Sequence, residues 1–133
     1  MSRIVSLSES ALIALHSLAL VAKNAPNPLR TKRIAKAISG SENTIAKVMQ
    51  RLVKAGFLIS SRGPTGGFAL AVPAEDVSLL DIYECIEGPL RTDGCSFDKK
   101  TCVFGDCIFG NFMDDIAQEF KKKFSEKKLA DYV

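Results

Sequence analysis

The apolar positions along this chain change period several times, and each change marks an element. Ala11 to Ala22 is an almost continuous apolar run, broken only by His16 and Ser17, which predicts a buried first helix with Ser8 as its N-cap. Asn24-Ala-Pro-Asn-Pro28 interrupts it with turn-forming residues. Ile34, Ala35 and Ile38 then suit the inner face of a short helix capped by Thr31, and Ser39-Gly40 a tight turn before a helix that starts at Ser41. In that next helix Ile45, Val48, Met49, Leu52 and Val53 make one apolar stripe at helical spacing, and Gly56 supplies a left-handed stop.

After Gly56 the pattern shortens to two strand-like runs, residues 57–61 and 68–72, joined by Arg62-Gly-Pro-Thr-Gly-Gly67, a loop suited to a hairpin. Residues 77–87 return to a helical pattern, with Ser78 as N-cap and Gly88-Pro89 as the stop. A loop over residues 90–107 follows, and residues 108–130 read as one long amphipathic helix. Phe112, Ile116, Phe120 and Phe124 recur every four residues along it. Such a row predicts a helix–helix dimer contact, with packing inside the same chain as the alternative.

The predicted fold class is mostly α with a small β-hairpin wing. A winged helix-turn-helix occupies residues 1–76; a helix, a cysteine loop and a long dimerisation helix occupy 77–133, the two forming a single compact unit. In this order of elements the second helix of the motif enters a major groove and the hairpin tip reaches the backbone or minor groove.

Charge sharpens that reading. Between Arg30 and Arg62 there are eight Lys or Arg (Arg30, Lys32, Arg33, Lys36, Lys47, Arg51, Lys54, Arg62) against one acid, Glu42, although the whole chain carries only +3. A basic third within a nearly neutral chain points to a polyanion; a solvated helix surface is the plainer alternative. On the second helix, Asn43 suits adenine, Thr44 a thymine methyl, and Lys47 guanine or phosphate. Arg51 and Lys54 are placed for phosphate, which sets affinity and register rather than sequence choice. Arg62 on a tip made by Gly63, Pro64 and Thr65 has a clear approach to a narrow minor groove. Arg3, Thr31, Lys32 and Ser41 complete the expected DNA-binding set. No run approaches the length needed to span a bilayer, and the N-terminus carries no secretory pattern, so a cytoplasmic protein is expected.

Three of the four cysteines, Cys95, Cys102 and Cys107, fall within thirteen residues. Thiolates are soft ligands for an iron–sulfur cluster or zinc. The absence of a Cys-x-x-Cys pair speaks against structural zinc, and free buried thiols are the alternative to metal binding. Cys85 sits mid-helix among apolar residues and reads as a small hydrophobe. His16, the only histidine, reads as packed within the first helix. The chain shows no paired acids, no phosphate loop and no nucleophile–base pair, so an enzyme is not expected.

The wing Arg62-Gly-Pro-Thr-Gly-Gly-Phe68, with the helix Leu80-Asp-Ile-Tyr-Glu-Cys-Ile-Glu87 and the cysteine loop after it, resembles the Rrf2 family of bacterial winged-helix regulators over nearly the whole chain. The resemblance implies a homodimer on a near-palindromic operator in double-stranded DNA. It implies an iron–sulfur cluster on Cys95, Cys102 and Cys107, as in the cluster-binding members similar to IscR, NsrR and RirA. In IscR-like members a histidine just past the third cysteine completes the set; here Ile108-Phe109-Gly110 stands there instead. NsrR-like members use a carboxylate at the start of the first helix, which corresponds to Glu9, and that favours a 4Fe-4S over a 2Fe-2S cluster. An ordinary first-turn glutamate on the helix dipole is the plainer account of Glu9. The expected function is a transcriptional regulator, a repressor, switched by cluster loss to nitric oxide, redox change or iron supply. The alternative is a cluster-free regulator of the same fold that senses a small molecule or uses a thiol switch.

Overall fold

A computed structural model describes residues 2–3, 6–92 and 102–133. The chain runs α1 (Glu9–Lys23), α2 (Thr31–Ile38), α3 (Glu42–Lys54), β1 (Leu58–Ser61), β2 (Gly67–Leu70), α4 (Leu79–Glu87) and α5 (Phe112–Glu126), with single 3-10 turns at Ala74–Asp76 and Leu129–Tyr132. This is the mostly helical winged-helix architecture that the sequence predicts.

Local chemistry explains most boundaries. Ser8 caps α1, its Oγ accepting from the Ala11 amide at 3.1 Å, and Glu9 and Lys23 sit at the ends where the helix dipole favours their charge. Thr31 is the first helical residue of α2 rather than its cap; Arg30 holds the cap position, with no side-chain capping bond. Helix α3 closes through two backbone bonds, Phe57 N–H to Leu52 O and Gly56 N–H to Val53 O, both 3.0 Å, around the left-handed Gly56. A reciprocal capping box opens α4: Asp81 N–H donates to Ser78 Oγ and Ser78 N–H to Asp81 Oδ2, each at 3.0 Å.

The core lies where α1 crosses α3 and α4. Leu18, Ile34, Ile45, Met49, Leu52, Leu58, Ile82 and Leu129 are its largest fully buried side chains. All the fully apolar positions of the predicted α3 stripe except Val53 are buried, and Val53 packs against the core's edge. The chain end returns to this core. Leu79 N–H donates to Lys127 O and Leu129 N–H to Val77 O, both 2.9 Å, which carries Leu129 beneath α4.

The long last helix is shorter than the expected span of 108–130. Residues 108–111 form turns, with Gly110 left-handed at φ 59°, and the helix begins only at Phe112. No residue of α5 is buried. Its aromatic row divides. Phe120 and Phe124 pack on Tyr83 of α4, with centroids 5.1 and 6.3 Å from it, whereas Phe112 is 64% exposed. The Phe120 and Phe124 end of the row thus packs within the same chain, while Phe112 is left at the surface.

Candidate nucleic-acid interface

Helix α3 presents two faces. Ile45, Val48, Met49 and Leu52 lock it into the core, which turns Asn43, Lys47, Gln50 and Lys54 outward along one stripe. All four are exposed, and none has a side-chain partner among the described residues. Thr44, at the edge of this stripe, is half-buried. Ser41 and Glu42 are exposed at its N-terminal end, and Lys32, Arg33 and Lys36 on the outer side of α2; Thr31 is half-buried. Arg3 is exposed on the residues before α1. Gln50 was not singled out from the sequence, although it follows Asn43 by two helical turns and offers the same amide chemistry toward adenine.

The wing beside this stripe is built to a fixed shape. β1 and β2 pair antiparallel from Leu58↔Leu70 to Ser61↔Gly67. Gly66 N–H donates to Gly63 O at 3.0 Å, closing the tip around Pro64 and Thr65. A Cβ on Gly66 would lie 2.4 Å from Ser61 O, and one on Gly67 2.9 Å from the Leu29 backbone, so both positions require glycine. Leu29 adds a third strand-like partner. Its N–H donates to Phe68 O at 2.9 Å and its carbonyl accepts from Phe68 N–H at 2.8 Å. The Arg30 guanidinium donates to Gly63 O, bracing the tip against the residue that opens α2. Arg62 and residues 63–65 remain exposed at the tip.

Seven of the eight cations counted between residues 30 and 62 thus lie on α2, on α3 or at the wing, and Arg30 directly precedes α2. The positive charge of this third of the chain is thus carried by the elements of the helix-turn-helix and its wing. Arg51 also makes a contact within the chain. Its Nη2 donates to Ile86 O at 2.8 Å, so its guanidinium is engaged with the end of α4.

The cysteine region is described in part. Cys95 lies outside the described residues; Cys102 and Cys107 are exposed free thiols. Glu9 is exposed in the first turn of α1 and lines a shallow groove with Leu12, His16, Ser39 and Gly40. Among the described residues no three His, Cys, Asp or Glu come together as a metal site. His16 is exposed rather than packed, because the helix turns it away from the core; its Nδ1–H donates to Leu12 O at 2.7 Å. Cys85 is half-buried; burial pushes its thiol pKa up, partly offset by the nearby Arg51. It packs as a small residue at the edge of the core. Among the described residues, no helix is long and apolar enough to cross a membrane.

Comparison with known proteins agrees with this geometry. The profile of the Rrf2 family, described as an iron-dependent transcriptional regulator, matches residues 7–133. A protein of Aquifex aeolicus (strain VF5), described as an HTH-type transcriptional regulator, is 28% identical over 129 residues, covering 95% of this chain and 90% of that protein. The HTH-type regulator YwgB of Bacillus subtilis (strain 168) is 34% identical over 107 residues, covering 76% of this chain and 66% of that protein. Among solved structures, CymR (YrzC), the global cysteine regulator of B. subtilis, superposes with a TM-score of 0.77 at 23% identity, covering 96% of this chain and 95% of that one. IscR of T. potens gives 0.77 at 22% identity, covering 96% and 85%. These relatives are regulators, not enzymes. The chain is therefore a helix-turn-helix transcriptional regulator and belongs to the Rrf2 family.

Proposed function

We propose that this regulator binds a near-palindromic operator as a homodimer and that an iron–sulfur cluster on Cys95, Cys102 and Cys107 sets its DNA affinity. The observation that carries the DNA half is the unpartnered stripe Asn43–Lys47–Gln50–Lys54, flanked by a braced wing. Asn43 and Gln50 supply bidentate amides for base edges, Lys47 and Lys54 supply phosphate or guanine contacts, and Arg62 reaches the minor groove. Thr31, Lys32, Ser41, Thr44, Arg3 and the tip residues Gly63, Pro64 and Thr65 border this surface.

The homodimer is supported by α5. An amphipathic helix with no buried residue, preceded by exposed Val103, Phe104, Ile108 and Phe109, is an unfinished surface for one chain. A second copy crossing it would cover that row.

The cluster reading is supported by donor chemistry. Cys102 and Cys107 are exposed and unpaired, so both thiols are open to ligation. The family description is iron-dependent. Cys107 sits in the turn that leads into α5, its carbonyl accepting from Gly110 N–H at 2.9 Å. Fixing its thiolate therefore fixes the start of the proposed dimer helix. Glu9 of the partner subunit is the proposed fourth ligand, and its likeness to the carboxylate of NsrR-like members favours a 4Fe-4S over a 2Fe-2S cluster. Such a cluster supplies an iron centre reactive toward nitric oxide and oxygen. Its loss shifts the population of DNA-competent dimers, and the proposed action is repression. A cytoplasmic location follows from that role.

Exposed Cys102 and Cys107 thiols also suit a cluster-free thiol switch. Anaerobic purification with iron and sulfide assays and an absorption spectrum separates the two. Iron, sulfide and absorption near 400 nm support the cluster; colourless protein that changes DNA affinity with thiol oxidation supports the switch.

A further inference from the structure

The last turn of α4 is a junction. Ile86 O accepts from Arg51 of α3 at 2.8 Å. The Glu87 carboxylate accepts from Ser8 Oγ, the cap of α1. The Glu84 carboxylate reaches past the helix end and accepts the Leu90 amide at 2.6 Å, so it holds the first residues of the segment that leads to the cysteines. Three different parts of the chain thus meet one turn through side chains.

Arg51 is the DNA-side member of this junction. It lies in the final turn of α3, one helical turn beyond Lys47, yet its guanidinium points to a carbonyl at the end of another helix. The last carbonyls of a helix lack intrahelical partners and carry the negative end of the dipole, which suits a charged donor. Lys47 and Lys54, the neighbouring cations on α3, have no such bond. α3 is therefore pinned from two sides, by its apolar stripe beneath and by Arg51 at its C-terminal end.

We infer that Arg51 is a positioning residue, not a phosphate contact: it sets the tilt of α3 against α4 and, through the α4 turn that Glu84 shares, ties the DNA-reading face to the segment after α4. This rests on the reading of α3 as the DNA-facing helix. A shift of Leu90 is felt at Glu84, in the same turn as Ile86, and so at the anchor of α3. The junction needs no ligand to exist; it is the route by which any event in the following segment reaches the reading helix.

The salt dependence of DNA affinity distinguishes the roles. Each phosphate contact contributes about 0.9 to the slope of log affinity against log salt. On a duplex selected by the wild-type protein, Arg51→Met is expected to weaken binding about tenfold and leave that slope within about 0.3 of wild type per site. Glu84→Ala is expected to weaken binding as well, and the double variant to be no weaker than the worse single one, because both cut one connection. A slope that falls by about one per site, or effects of Arg51→Met and Glu84→Ala that multiply, would overturn the inference. So would unchanged affinity in Arg51→Met. Thermal melts check folding, and Arg51→Gln replaces the Met variant if that one does not fold. Asn43→Ala serves as a control for the underlying reading: if it too leaves affinity unchanged, α3 is not the reading helix, which is a different failure.

Discussion

The two ends of this molecule are finished to different degrees. From α1 through the wing, each element buries a face: Leu18, Ile34, Ile45, Met49, Leu52 and Leu58 are nearly inaccessible, and the wing is fastened by Leu29 and Arg30. From residue 103 to the start of α5 the reverse holds. Val103, Phe104, Ile108, Phe109 and Phe112 are all exposed, and no residue of α5 is fully buried. The first region can hold its shape with the contacts of one chain. The second has apolar surface without a matching surface, so its stability depends on what covers it. A regulator needs that asymmetry: a rigid reading head and a part whose state can be changed.

The largest expected effect lies in the finished region. Leu52→Ala, at a fully buried site on α3, should cost about 3 kcal/mol in urea unfolding, at any protein concentration. The next tests the unfinished region. Phe112→Asp should leave the circular dichroism of the folded protein intact but raise the dimer dissociation constant by at least ~100-fold in sedimentation, about 2.8 kcal/mol. A concentration-dependent loss of stability from Leu52→Ala, or none of the expected dissociation from Phe112→Asp, would erase the contrast. On the reading face, Asn43→Ala should cost about 1–3 kcal/mol of DNA affinity and relax sequence choice at one base pair per half-site, seen in a binding selection.

Thiol chemistry gives a finer contrast. Cys102 and Cys107 should alkylate much faster than Cys85 in the metal-free protein, since burial raises the Cys85 pKa and reduces its thiolate. Rate measurements by mass spectrometry across pH 7–9 check this, and equal rates would mean that α4 is looser than its packing implies. The smallest effect concerns Ser17, buried in α1 with no partner for its Oγ among the described residues. Ser17→Ala should stabilise the fold by about 1 kcal/mol in urea unfolding.

Most of the reading head was legible in the sequence because its information is local. The α3 stripe, Gly56, the Ser78 cap and the glycine tip each depend on residues a few positions apart, and the structure has them where the spacing puts them. The rest depended on distant partners. Nothing near Arg51 in the chain signals that Ile86, thirty-five residues on, takes a hydrogen bond from it. The start of α5 slipped from 108 to 112 because Gly110 is left-handed, which an apolar row cannot reveal. His16 looked packed in an apolar run, but its place on the helical wheel turns it to solvent. The return of Leu129 to the core left no signal beyond one leucine near the chain end. Of the expected cysteine site, Cys95 lies outside the described residues, and Cys102, Cys107 and Glu9 are each exposed.

The central claim is that the cysteines control DNA affinity through the unfinished region. The direct measurement is operator affinity, on a duplex selected from a random pool by the wild-type protein, for wild type and Cys102→Ala prepared anaerobically with iron. The account predicts affinities that differ by at least ~10-fold, about 1.4 kcal/mol, with wild type losing the difference when its iron is removed. Equal affinities for wild type, Cys102→Ala and iron-depleted protein would contradict it.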